Sequence, residues 1–398
     1  MKTNIISLVI FLSSISLYGQ ASVDSLLAAI ENNNTGIIAL RKKVEADMVG
    51  NRTGIFPSDP EVGFNYLYGS PSDIGDRTDI SIIQSFDFPT AYIYRSRIAD
   101  TRNLQAELEY QDQLRTLLYN ARLLCIEIIH ANAFAREYEK RLTSAEDLAS
   151  SYKMKLEKGE GNILDYNKAQ LNLLNLRNEA ERIAISRNSL LSELTALNGG
   201  VPVTLDEADF PVVALPDDFE TWFLAAEQNN PALSWLKREI EIIEFQKKLG
   251  VAERLPRMSA GYMSEKVVGE QFQGISAGLT IPLWEKRNTV RHANAQALAV
   301  SSIEADRKLV FYNQLKIQYQ KTADLRNSVS AYRLSLESFD SSVLLKKALD
   351  MGEISLAEYV LEISLYYESV DRLLDAVREL NEAFAGLLQY SGGTIPSA

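Results

Sequence analysis

The sequence predicts a mainly α chain with a small β part, made of one pattern written twice: helix, β-hairpin, long helical hairpin. Three observations predict it. "LEKGEGNILDY" (156–166) and "LDMGEISLAEY" (349–359) share Leu, Gly-Glu, an acid and Tyr at one offset of 193 residues. From Leu114 to Leu156 an apolar residue recurs every three or four positions through six heptads, the seam of a coiled coil. Four short segments alternate apolar and polar residues, as half-buried strands do.

The offset of 193 also pairs Pro89 with Pro282, Gly159 with Gly352 and Tyr166 with Tyr359. Upstream, "LAAIENN" (27–33) matches "LAAEQNN" (224–230) at 197, so small length differences lie before Pro89. A constant spacing from Pro89 to Tyr166 describes one uninterrupted rod.

In chain order, residues 1–20 read as a signal peptide. Lys2 precedes an apolar run, Ile5 to Leu17, followed by Tyr18-Gly19-Gln20-Ala21. That run is too short for a good membrane span. No cysteine stands directly after the cleavage region, so an exported chain without a lipid anchor there is expected. Cys125 is the single cysteine, which excludes an intrachain disulfide.

The first repeat, 21–200, opens with a helix over 22–52. A β-hairpin spans about 60–88, where Val62, Phe64, Tyr66 and Tyr68 share one side and Ile80, Ile82, Phe86 and Phe88 another. The long helical hairpin covers about 91–198. Its outgoing helix, 91–157, would be about 100 Å long. Its return carries Tyr166, Ala169, Leu173, Leu176, Ala180, Ile183, Leu190, Leu194 and Leu197. Residues 201–217, within a stretch holding three prolines, read as a linker.

The second repeat, 218–391, has a helix over 218–250 and a hairpin at about 257–281, aligning Ile275, Ala277, Leu279 and Ile281. A helical hairpin at about 285–390 follows. Its outgoing seam is weaker: Leu325, Val329, Tyr332, Leu336, Phe339, Val343. The returning seam runs from Leu356 and Tyr359 to Phe384 and Leu387. Residues 392–398 are a short tail. The repeated phrases are the tips where each long helix turns back, with Gly159 and Gly352 supplying the left-handed conformation of a helix end.

Composition removes several classes of function. A formal charge of −12 speaks against nucleic acid. His130 and His292 are isolated, with no HxxxH or HExxH spacing for zinc. There is no GxxxxGK[ST] loop, and "GISAGL" (274–279) lacks dinucleotide spacing. No nucleophile–base–orienter set stands out, so neither enzyme activity nor a cofactor nor a metal is expected.

Four strands in an exported chain fit a share of a transmembrane barrel. They cannot close one alone, since single-chain barrels start at about eight strands. Unpaired edges are forbidden in lipid. Two copies would give eight strands and a filled lumen, and three would give twelve and room for water.

The duplicated order, the "FDFP" (86–89) and "TIPLW" (280–284) strand-to-helix junctions, and the Gly-Glu tips backed by Asp165-Tyr166 and Glu358-Tyr359 resemble the TolC family of outer-membrane efflux proteins. The resemblance covers about 22–391. It implies a homotrimer with a twelve-stranded β-barrel in outer-membrane lipid and an α-helical barrel in the periplasm. It also implies a periplasmic adaptor at the tips and an inner-membrane pump of the RND or ABC type. The compact size leans toward the heavy-metal and cation efflux branch.

In that family, acids on the returning helix of the second repeat ring the periplasmic entrance. The first falls on Glu358. The second falls on Leu361, with Glu362 one position later and one helical turn from Glu358. Such a ring would favour cations and raise its own pKa. The family's tip-lock arginine falls on Ile354, so that latch is missing or built otherwise. Adaptor docking is expected at Lys158, Gly159, Glu160, Gly161 and Asn162, and at Met351, Gly352, Glu353, Ile354 and Ser355. Pro89 and Pro282 mark the junctions, with Tyr92 and Trp284 placed for an interfacial aromatic belt. Against these stand plain readings: solvated helix charges, turn chemistry and packing. The competing function is an exported periplasmic coiled-coil scaffold or adaptor without a membrane barrel.

Overall fold

The computed structural model describes residues 23–284 and 287–390. The signal peptide of 1–20 and the tail of 392–398 lie outside the described residues. In chain order the elements are α1 (Val23–Asn33), α2 (Thr35–Gly50), β1 (Glu61–Leu67), β2 (Arg77–Phe86), α3 (Pro89–Glu157), α4 (Ile163–Leu197), α5 (Phe219–Gln228), α6 (Pro231–Ala252), β3 (Arg257–Val267), β4 (Glu270–Thr280), α7 (Thr289–Ser338), α8 (Ser342–Asp350) and α9 (Leu356–Leu388). A 3₁₀ turn, Ser72–Ile74, lies between β1 and β2.

Three helices expected as single rods are broken. The helix of 22–52 divides at Asn34, which is buried and donates its side-chain amide to the Leu197 carbonyl at 2.8 Å. The helix of 218–250 divides at Asn230, whose side chain accepts from Ala232 and Leu233 while Pro231 opens α6. An N-cap followed by proline is a helix start, and here it cuts a run of apolar periodicity in two. The second break falls on the repeated Asn-Asn and the first directly after it. The helix of 285–350 stops at Ser338, and Asp340 accepts from the Ser342 amide at 3.0 Å to begin α8. The seam expected through this segment fails there, since Phe339 and Val343 are exposed. Leu345 and Leu349 turn inward instead.

The residues fall into two compact units, each drawing on both repeats. One takes the chain up to Asn34, Ala121–Pro211 and Val329–Asn381. Its core joins Ala145, Leu148 and Ala149 of α3 to Ala169 and Leu173 of α4, Leu349 of α8, and Leu356, Tyr359 and Ile363 of α9. These are mostly the small and large seam positions of the sequence, interleaved at coiled-coil spacing. The segment after α4 is strapped down rather than loose. Asn132 donates to the Leu205 and Glu207 carbonyls at 2.9 and 2.8 Å, and Arg136 grips Asp209 through two bonds.

The other unit takes Thr35–Asn120, Val212–Ser328 and the chain from Glu382. Ile37 and Val44 of α2 pack on Ala106 and Tyr110 of α3. Asp218 caps α5, Phe219 packs edge-on against Tyr312 of α7, and Phe223 meets Phe311 of α7 at a tilt. This unit carries the whole sheet, antiparallel in the order β1-β2-β3-β4.

Candidate functional site

The sheet has two unlike faces. Registers such as Val62↔Ile82↔Tyr262↔Ile275 and Phe86↔Met258↔Leu279 put the apolar side chains together. They face solvent: Val62 is 71% exposed, Phe64 66% and Ile275 90%. The other face carries the small and polar Gly63, Ser81, Ser85, Ser259, Gly261, Ser276 and Gly278, with Asn65, Asp79 and Glu265 toward the turns, and among them the larger apolar Leu67, Ile83, Met263, Val267 and Phe272. In a water-soluble sandwich the apolar face would be the buried one. Here it has no cover among the described residues. Beyond the strands Phe88, Leu283 and Trp284 continue the exposed apolar surface at the helix end of the sheet.

The two junction prolines behave differently. Pro89 is the first residue of α3, where its missing N–H costs nothing. Pro282 lies in an irregular stretch, and α7 begins only at Thr289. At the first junction Arg95 bonds Asp87 and Glu253 at 2.6 and 3.1 Å, and the Asp87 amide donates to the Tyr92 hydroxyl at 2.8 Å. The pairing of Tyr92 with Asp87 is local packing, while Trp284 stays 78% exposed.

The two tips close alike. Gly159 and Gly352 both take φ of 76°. The Glu160 amide donates to the Lys155 carbonyl and the Glu353 amide to the Ala348 carbonyl, each at 2.9 Å, the six-to-one bond of a Schellman end. Asn162 then caps α4 through the Asp165 amide. Ser355 and Glu358 form a reciprocal capping box at α9: the Ser355 amide donates to Glu358 Oε2 at 2.7 Å, and the Glu358 amide donates to Ser355 Oγ at 3.2 Å. The repeated phrase thus encodes a helix end, a five-residue connection and a capped restart. Lys158, Glu160, Met351 and Glu353 stand exposed around it, whereas Ile354, where the resemblance would put a latch arginine, packs on the helical core.

Glu358, Leu361, Glu362 and Leu365 lie on the exposed stripe of α9, opposite the buried stripe of Leu356, Tyr359 and Ile363. The Ser355 backbone N–H, and then its hydroxyl, hold the Glu358 carboxyl below the usual range. That is opposite to the direction like-charge repulsion would impose.

One cluster had no counterpart in the sequence reading. Arg141 of α3 is buried and makes two bonds to Asp371 of α9, at 2.6 and 3.0 Å. Its guanidinium lies between the rings of Tyr138 and Tyr367, 4.6 and 4.5 Å from their centroids. Nothing linear pairs residues so far apart, and the arginine sits beside the heptad seam rather than on it. Cys125 is buried, which pushes its thiol up to about 12, so it is unreactive. His130 bonds Asp375 at 3.1 Å and packs edge-on against Phe134. Among the described residues no group of three or more His, Cys, Asp or Glu is arranged to hold a metal ion. No described helix is long and apolar enough to cross a membrane.

No family model and no curated protein matches the sequence. Solved structures do. A membrane protein from Pseudomonas aeruginosa superposes with a TM-score of 0.75 at 14% identity, over 93% of this chain and 93% of that one. CusC, described for its transmembrane channel formation, gives 0.74 at 16% over 93% and 94%. The CmeC outer membrane channel of Campylobacter jejuni gives 0.72 at 13% over 94% and 86%. The fold is that of the TolC-type outer-membrane channels. The match spans nearly the whole described chain, so the β-hairpins and the helical hairpins both belong to that TolC-type fold.

Proposed function

We propose that the protein is the outer-membrane exit duct of an efflux system, a passive channel rather than an enzyme. The observation that carries this reading is the four-stranded sheet with an exposed apolar face and two unpaired edges, β1 and β4. In lipid, each unpaired N–H or C=O costs several kcal/mol, so those edges must meet sister copies. Three copies give a twelve-stranded barrel with the glycine and serine face around a wet lumen. β2, β3 and β4, with 10, 11 and 11 residues, have the length of a tilted crossing of the bilayer, and β1, with 7, is shorter. The helices supply unpartnered stripes, Leu164, Leu171 and Ile185 on α4 and Ile303, Val310 and Ile317 on α7, for a neighbouring copy to cover.

The tips, Lys158 to Asn162 and Met351 to Ser355, are the docking points for a periplasmic adaptor that couples the duct to an inner-membrane pump. Glu358 and Glu362 of three copies ring the entrance and favour cations. The structural relatives named for channels support this reading by their fold. Purification of the mature protein in detergent, followed by planar-bilayer recording, tests it. Trimers that conduct are the expected result. A water-soluble monomer without conductance would overturn it and favour the periplasmic scaffold.

A further inference from the structure

The way the apolar belt crosses the sheet fixes how neighbouring copies join, given the trimeric-barrel reading above. The hydrogen-bonded row of Phe64 runs through Ile80 and Ser264 to Gln273, so it starts apolar on β1 and ends polar on β4. On β1 the apolar stretch is centred at Phe64, between Val62 and Tyr66. Within β4 it is centred at Ala277, between Ile275 and Leu279. Gln273 lies four residues nearer the turn end than Ala277. The belt therefore cuts the rows diagonally. In a bilayer the belt is level, so the rows are inclined and the strands tilt.

Four residues over three strand-to-strand steps extrapolate to roughly five over the four steps leading to β1 of the next copy, between the even shifts of about four and about six. The shift must be even, because an odd one would turn the polar face to lipid. A shift of about six residues per copy corresponds to a tilt of roughly 45° in twelve strands, at the upper end of the usual range. A shift of about eight would need roughly 54°, outside it.

We infer that β4 of one copy pairs antiparallel with β1 of the next, with Leu279 opposite Phe64, Ala277 opposite Tyr66 and Thr280 opposite Gly63. The glycines favour the same register. Within the chain Gly63 faces Ser81, Gly261 faces Ser276, Gly274 faces Met263 and Gly278 faces Ser259, so no glycine faces another. A slip of two residues toward smaller tilt would set Gly278 against Gly63, a pair with no side chains to pack. In the inferred register Gly278 faces Asn65, and small Ala277 faces large Tyr66.

Paired cysteines read the register directly. Residues 66 and 277 are on opposite edges of one chain, so a bond between them must join two copies. In a Cys125→Ala background, detergent-solubilised Tyr66→Cys/Ala277→Cys protein should oxidise to linked dimers and trimers on non-reducing gels, several-fold more than Phe64→Cys/Ala277→Cys. If the second pair links better, the register is overturned while the trimeric barrel stands. If neither links although native gels show trimers, the copies meet by other edges and the inference falls. If neither links and the protein is a water-soluble monomer, the channel reading itself fails.

Discussion

Val268 is a β-branched residue at φ 47°, followed by Gly269 at φ 86°, in the two-residue turn between β3 and β4. Hairpin turns of this hand favour Asn-Gly, because a branched side chain crowds the backbone there. Its side chain sits against Gly75 of the neighbouring turn, where an added Cβ would lie 2.6 Å from a Val268 methyl. Val268→Asn should therefore stabilise the folded protein by about 1 kcal/mol, seen as a higher melting temperature in detergent. A lower one would mean that the contact with Gly75 outweighs the strain. The strain was not legible in "KVVGEQ", which reads only as a polar turn. Glu358 was legible as an acid near the tip, yet its role in the capping box follows from the Ser-x-x-Glu spacing, which went unread.

At the scale of elements, heptad periodicity gave the long helices and the alternating segments gave the strands. The breaks escaped because they depend on single side chains. Asn34 leaves the helix to reach Leu197, and Asp340 restarts one at Ser342, without disturbing the local apolar pattern enough to be noticed. The break at Asn230-Pro231 could have been read, since a cap before proline is a start signal in any sequence. Pairing between distant helices was invisible, as Arg141 and Asp371 illustrate. Arg141→Met should cost about 3 kcal/mol, since it strands the Asp371 carboxylate against α3. The double variant Arg141→Met/Asp371→Leu should recover most of that loss, because it leaves no unpaired charge. Thermal unfolding of the detergent-solubilised protein checks both. Equal melting temperatures for the single variant and the parent would show that the Arg141–Asp371 pair adds nothing to the hold of α9 on α3.

For the whole molecule, the proposed ring of Glu358 and Glu362 would set a property that no single chain displays. Ser355 holds the Glu358 carboxyl down, so it stays ionised into mildly acidic solution unless neighbouring copies push it back up. The expected outcome is a cation preference that persists on acidification to about pH 4, the ordinary range of glutamate, and is reduced at neutral pH by Glu358→Gln. Reversal potentials in bilayers under a salt gradient measure it. Loss of preference near pH 6 would mean that repulsion within the ring wins over the cap.

The unpaired borders of the sheet have a genetic corollary. A subunit whose β1 can no longer accept a neighbour still offers a sound β4, so it can enter an assembly and leave the circle open. In the proposed trimer, with equal amounts of such a subunit and the normal one in a cell, random mixing leaves roughly an eighth of the rings free of the defect. A lesion confined to one border would therefore act dominantly, whereas the same damage to an inner strand, by preventing folding, would simply be lost.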